Sequence, residues 1–376
     1  MTKLLILTAG FGEGHNAAAR NLAAACEAVA GPGSAAVVDP FALAQPGFNR
    51  LACRAYLATI NGAPRLWSRF YAWIDRSRIF PRHLWILRGE LSALASQLQQ
   101  LRPAVVCSTY PFHAFLLERL ARTGHLQVPY FNIVTDSISI NSLWTRPECA
   151  GWFVPNEETA EIMRTRGVPA AKLHTLGFPT PAFFSAHARD LAPPDLAAGA
   201  TPRVLYIIHT GVRHAAETAR RLLAESEWDL TFAVGRDERL RRRLDPLATA
   251  RPRPAQVLGW TREIPRLLMT HHIVISKAGG ATTQEAIAAR CPMLVNQVVP
   301  GQEEGNYELL RRHGTGALVE TPDDVIAALR RAFADRGSVW RQWRDALAPL
   351  VWPDASRAIV ARLLAAAEPP AVITAA

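Results

Sequence analysis

Residues whose types and spacing suit chemistry concentrate between Ile273 and Tyr307. The apolar run Ile273-Val274-Ile275 feeds Ala278-Gly279-Gly280, and good helix formers follow from Thr282 to Arg290. That order reads strand, glycine turn, helix. Glycines let the backbone approach an anion, and the first N–H groups of the next helix point at it with the positive end of the helix dipole behind them. The chemistry expected at Gly279 and Gly280 is phosphate binding, helped by the hydroxyls of Thr282 and Thr283. A second buried-type strand, Pro292 to Val299, ends in Pro300-Gly301-Gln302-Glu303-Glu304-Gly305-Asn306. The amides and carboxylate of Gln302, Glu303 and Asn306 form a surface suited to reading hydroxyls, and Glu285 is a candidate for ribose. Thr282-x-x-Glu285 is equally a capping box, and Glu303 with Glu304 equally a solvated loop. Having all three features in one strand-helix-strand unit, at the carboxyl ends of successive strands, favours a ligand site.

A second candidate site opens the chain. Lys3 to Ala9 is a buried-type strand that passes into Gly10-Phe11-Gly12-Glu13-Gly14-His15 and an alanine-rich helix for which Asn16 is the expected cap. An imidazole titrating near neutrality can take a proton from an attacking hydroxyl, although a histidine here also suits capping or packing. Asp136 follows the strand Tyr130 to Val134 and is expected to orient that histidine or act as base; strand-end aspartates also serve as caps. His209 or the Gly211 backbone, after Val204 to Ile208, is a weaker phosphate candidate.

These sites need two sheets to position them. A chain of 376 residues, 49% hydrophobic and 20% charged, suits two globular α/β domains. We expect an N-terminal Rossmann-like domain at 1–182, a linker at 183–202 rich in Ala, Pro, Asp and Gly, a C-terminal domain at 203–350, and a final helix and tail at 351–376. The five cysteines show no paired spacing and no clustered histidines accompany them, so neither a disulfide framework nor a zinc site is expected. No signal sequence and no run of eighteen apolar residues occurs, so a cytoplasmic protein lying on a membrane, rather than crossing it, is expected.

With 42 Lys+Arg against 32 Asp+Glu the net charge is +10, which implies an anionic partner unless it reflects a GC-rich genome. The excess is dense from Arg50 to Glu90, where arginines including Arg69 interleave with aromatics including Trp67, Phe70, Trp73 and Trp85. Such a segment suits an anionic membrane interface, with arginines at lipid phosphates and aromatics at headgroup depth. Packing of those aromatics on the domain core is an equal reading from the residues alone. Nucleic acid is not expected, because no recognised motif accompanies the charge.

The stretch KAGGATTQEA, followed by P-M-L-V-N-x-x-x-P-G-Q-E-E-G-N, resembles the donor-site signature of the processive diacylglycerol glycosyltransferase and monogalactosyldiacylglycerol synthase group of family 28 glycosyltransferases. Gly12-x-Gly14-His15-x-x-Ala18-Ala19 resembles the group's first loop. The resemblance implies an α/β GT-B fold, two Rossmann-like domains facing across a cleft, with the last helix returning to the N-terminal domain. It implies a UDP-sugar donor, a lipid acceptor with diacylglycerol foremost, inversion at the anomeric carbon, and no metal or cofactor. By the same resemblance His15 is the general base, Gly12 and Gly14 lie in the acceptor half, and the 50–90 segment binds membrane. Val257-Leu258-Gly259-Trp260 with Ile264 resembles the segment that receives uracil. Two departures stand out: Ile140 and Asn141 occupy the region of a family histidine after Asp136, and the loop at His209 has fewer glycines. The alternatives are a UDP-N-acetylglucosamine transferase acting on an undecaprenyl-linked acceptor, a UDP-N-acetylglucosamine 2-epimerase, which needs no lipid, and a non-catalytic protein binding nucleotide sugar or lipid.

Overall fold

Short apolar runs alternating with amphipathic helices build two all-parallel six-stranded sheets. The structure, a computed structural model, describes residues 2–63, 69, 73, 75, 87–301 and 303–367. Two units result: Met1–Leu57, Phe70–Ala182 and Asp354–Ala376 form one, and Ala58–Arg69 with Phe183–Pro353 the other.

In the first unit β1 (Leu4–Leu7) leads through a glycine loop into helix α1 (Glu13–Ala30), β2 (Ala35–Val38), α2 (Pro40–Ala44) and α3 (Pro46–Gly62), of which the residues up to Leu57 belong to this unit. Strands β3 (Val105–Ser108), β4 (Tyr130–Ile133), β5 (Gly151–Val154) and β6 (Leu173–Thr175) complete the order β2-β1-β3-β4-β5-β6. Strand β1 is buried along its whole length, as covering a parallel sheet with helices on both faces requires. On one face Leu4, Ile6, Leu22 and Val105 share a cluster with Ile359, Val360 and Leu363 of the C-terminal helix, Ala355–Ala367. On the other, Leu5, Leu7 and Val106 pack on Leu94 and Leu98 of helix Arg88–Leu101 and on Leu116 and Leu117 of helix Pro111–Arg122.

In the second unit β7 (Arg203–Ile207), β8 (Asp229–Gly235), β9 (Gln256–Gly259), β10 (Ile273–Lys277), β11 (Met293–Gln297) and β12 (Gly316–Leu318) take the order β12-β11-β10-β7-β8-β9. Gly316 is needed where β12 meets β11, because a Cβ there would lie 1.9 Å from the Met293 carbonyl oxygen.

In each sheet the chain changes winding direction beside its first strand. The crevice opens at the carboxyl ends of β1 and β3 in one unit, and of β7 and β10 in the other, where doubly wound sheets bind ligands. One local expectation is corrected. Helix α1 starts at Glu13 behind Gly12, not at Asn16, and Asn16 instead accepts a hydrogen bond from the Thr8 hydroxyl at 2.9 Å. No helix among the described residues is long and apolar enough to cross a membrane.

Candidate active site

The crevice of the first unit is built around His15. Gly12, with φ 118°, turns the chain out of the β1 loop in a conformation that L side chains disfavour, and this sets His15 in the first turn of α1. Gly14 lies beside it in the same turn. Nδ1 of His15 stands 2.7 Å from the carbonyl oxygen of Thr109, just past β3, and 2.9 Å from the hydroxyl of Thr135, just past β4. Because a carbonyl only accepts, Nδ1 carries the hydrogen and Nε2 keeps its lone pair. Nε2 has no hydrogen-bond partner among the described residues. The Thr109 hydroxyl donates to the carbonyls of Leu7 and His15, tying β3 to the loop after β1. Tyr110 closes one side of the imidazole, edge to face at 5.0 Å. Burial pulls the His15 pKa down to about 4, partly opposed by the Thr109 carbonyl, so the ring is neutral at neutral pH.

Asp136 does not hold His15. Its Oδ2 accepts the indole N–H of the fully buried Trp144 at 2.7 Å, and burial raises its pKa to about 6 against the lowering effect of that bond. The expectation that Asp136 orients the histidine is thus corrected: Thr109 and Thr135 do so. Ile140 and Asn141, in the region of the family histidine, are both buried; Asn141 caps the turn Ser142–Trp144 by accepting from Leu143 N–H at 3.0 Å. Ile138, two residues past Asp136, sits at φ 56°, a conformation that strains a β-branched residue, and its N–H is held by Thr159.

The crevice of the second unit gathers the loops after β7, β10 and β11. Gly279 precedes helix Gly280–Ala288, whose first-turn N–H groups receive no side-chain cap. The capping box at Thr282 therefore does not form, because the helix starts two residues earlier. Thr282 and Glu285 are half-buried. Thr283 is a correction: it is wholly buried, and its hydroxyl meets Sδ of Met293 at 3.9 Å, so it faces the core and not the crevice.

Glu303, 6% exposed, pairs with Lys277 and accepts the N–H of Val299 at 3.0 Å. A Cβ on Gly279 would lie 3.7 Å from both Lys277 Nζ and Glu303 Oε1, which sets the pair against the glycine turn. Nothing in the sequence reading singled out Lys277, although its place one residue before Ala278-Gly279 was a usable signal. Asn306 is buried and donates to the Ala278 carbonyl at 3.0 Å, bracing the turn; its Oδ1 has no partner among the described residues. Gln302 lies outside the described residues.

His209 stands 3.1 Å from the Ser276 hydroxyl, and burial with Lys277 nearby lowers its pKa to about 4. Gly211 takes φ 82°, and the loop is fastened to β11 where Arg213 N–H donates to Gln297 at 3.0 Å. Past β9, Trp260 is 62% exposed with the Arg262 guanidinium 5.8 Å from its ring centre, and half-buried Ile264 begins the next helix.

Of the aromatic-basic segment, Trp67, Phe70 and Trp85 lie outside the described residues, while Arg69 and Trp73 are exposed. At its start, α2 and α3 expose Leu43, Phe48 and Leu51 beside Arg50 and Arg54.

Comparison with solved structures finds the same fold in other proteins. The chain aligns with MurG of Acinetobacter baumannii at a TM-score of 0.61, 14% identity, covering 96% of this chain and 99% of that one. It aligns with Staphylococcus aureus MnaA, solved with UDP, at a TM-score of 0.60 and 14% identity, over 96% and 95% of the chains. The fold is GT-B. Within GT-B proteins the sequence matches point to one group. The family Monogalactosyldiacylglycerol (MGDG) synthase matches residues 15–180. A processive diacylglycerol beta-glucosyltransferase of Bacillus cereus is 24% identical over 369 residues, 96% of this chain and 93% of that protein. The resemblance first read from the motifs thus extends along nearly the whole GT-B chain.

Proposed function

We propose that this protein is an inverting hexosyltransferase that moves a sugar from a UDP-sugar to the hydroxyl of a membrane lipid, with diacylglycerol as the acceptor. The observation that carries the reading is the state of His15: a neutral imidazole with Nδ1–H fixed on a main-chain carbonyl and Nε2 left bare at a ligand crevice. That is the arrangement of a general base whose tautomer is set in advance.

The acceptor oxygen attacks the anomeric carbon as its proton passes to Nε2 of His15. The bond from that carbon to the diphosphate oxygen breaks, and its electron pair leaves with UDP. The Thr109 carbonyl stabilises the imidazolium formed. In the other unit the developing diphosphate charge meets the N–H groups after Gly279 and Gly280, the Thr282 hydroxyl and the Lys277 ammonium, which are in place before the reaction begins. Glu285 takes the ribose and Glu303 the sugar hydroxyls, with Gln302 expected beside it. Trp260 and Ile264 flank the uracil, Gly211 lies near the diphosphate, and the reaction uses no metal.

The exposed Leu43, Phe48 and Leu51 with Arg50, Arg54 and Arg69 favour attachment to an anionic bilayer, at the cytoplasmic membrane face. The test is UDP release from UDP-glucose, UDP-galactose and UDP-N-acetylglucosamine, with anionic liposomes holding diacylglycerol and with that lipid omitted. Release requiring one sugar and the lipid is expected. Release independent of lipid, or UDP binding without turnover on any acceptor, overturns the reading.

A further inference from the structure

The first unit holds a cavity of about 220 Å³ lined by Phe11, Phe41, Leu87, Tyr110 and Phe112. One of its walls reaches the candidate base: Tyr110 packs on the His15 ring, and Phe11 stacks on Tyr110 at 5.9 Å. A third wall, Phe48, is 67% exposed on α3 beside the exposed Leu51, so the apolar lining runs out to the surface. Besides the Tyr110 hydroxyl, its polar side chains are Gln45, Asn49 and Glu90. Glu90 is the unusual one, being 4% exposed with Oε2 meeting no hydrogen-bond partner among the described residues. It has no ion pair among the described residues although arginines crowd the adjoining sequence. As a first-turn residue of helix Arg88–Leu101 it gains from the helix dipole, but that leaves the oxygen still without a donor. A buried acceptor without a donor is costly unless a ligand brings one.

We infer that this cavity seats the apolar chain of the acceptor lipid beside His15, and that Glu90 selects a neutral, hydroxyl-bearing lipid over an anionic one. The inference rests on the transferase reading above for its place next to the base. A hydroxyl donates to the free carboxylate oxygen, whereas a carboxylate or phosphate meets a like charge in an apolar wall, where repulsion is little screened. The selection has a purpose in such an enzyme. A surface rich in arginine gathers anionic lipids, so the uncharged acceptor must be picked out by a group of the opposite preference.

The experiment is calorimetric titration of the full chain with 1-octanoylglycerol and with octanoate, a neutral and an anionic ligand of one chain length. The parent is expected to bind the neutral ligand roughly tenfold or more tightly than the anion. E90Q should bring the two within about threefold of each other, and A52F, which fills the cavity from α3, should weaken the neutral ligand by about tenfold. Variants are compared only where their melting stays cooperative, and A52F keeps the test open if E90Q does not fold. Equal affinity of parent and A52F for 1-octanoylglycerol, or an unchanged ratio in E90Q, overturns the inference. These readouts need no turnover. Absence of lipid glycosylation with the binding pattern intact refutes the transferase reading alone, while glycosylation insensitive to A52F and E90Q refutes the cavity alone.

Discussion

His15 and Thr109, 94 residues apart in the chain, are joined by a 2.7 Å hydrogen bond from the imidazole Nδ1–H to a main-chain carbonyl. A carbonyl neither titrates nor is removed by substitution, so His15 keeps this one tautomer wherever its ring is neutral.

His15→Ala is expected to lower kcat by roughly 10²–10⁴-fold while UDP affinity stays within about twofold, because the base touches only the acceptor's proton. The acid limb of kcat/KM should follow the base. With the His15 pKa lowered to about 4, its base form persists through the weakly acidic range and is lost only near pH 4. An acid limb near 6 would point instead to Asp136, whose pKa is raised to about 6.

Trp144→Phe removes the indole N–H whose hydrogen bond lowers the Asp136 pKa, so the carboxyl should titrate above about 6. A group whose folded pKa exceeds its unfolded value adds stability below the unfolded pKa and loses it as pH rises through the folded pKa. The variant should therefore lose more stability than the parent between pH 5 and pH 8, by about 1–3 kcal/mol at the alkaline end. Urea midpoints measured at both pH values check this, and parallel losses in the two proteins would contradict it.

The two adjacent threonines should behave differently. Thr283→Val exchanges a hydroxyl that meets only the Met293 sulfur for a methyl group of similar size, and UDP affinity should not change. Thr282→Val takes a hydroxyl from the first helical turn, and UDP affinity should fall by roughly threefold to tenfold, the worth of one hydrogen bond. Calorimetric titration with UDP separates them.

Lys277→Met leaves the Glu303 carboxylate buried with only the Val299 N–H on it. Breaking such a pair from one side costs about 3–5 kcal/mol when it is deeply buried, and less here because Lys277 is partly exposed. A second change, Glu303→Leu, should recover part of the stability without recovering UDP affinity. Recovery of both would mean that Lys277 supports the turn without touching the donor.

What was legible in the sequence followed from local chemistry. The run Ile273-Val274-Ile275 with its two glycines announced the strand, turn and helix that appear at Ile273–Lys277 and Gly280–Ala288. Spacing did not show which hydroxyl of Thr282 and Thr283 turns inward, because the helix's rotation is set by its packing on the next strand, at Met293. Nor did it show the holders of His15. Thr109 and Thr135 reach the ring because β3 and β4 follow β1 in the sheet order, a fact of topology. The start of α1 was misplaced by three residues because Asn16 is a strong capping residue by type, while the glycine at Gly12 makes the turn first.

The cluster that joins Leu4, Ile6 and Val105 to Ile359, Val360 and Leu363 carries a lesson for biosynthesis. The ribosome makes one wall of that cluster early and the other about 250 residues after Val105, which at bacterial or eukaryotic rates is roughly 13–50 s of translation. Through that interval the β1 face lacks the cover that the final helix supplies in the folded chain. Truncations that spare every candidate catalytic group but remove the final helix should therefore yield inclusion bodies, not a smaller enzyme.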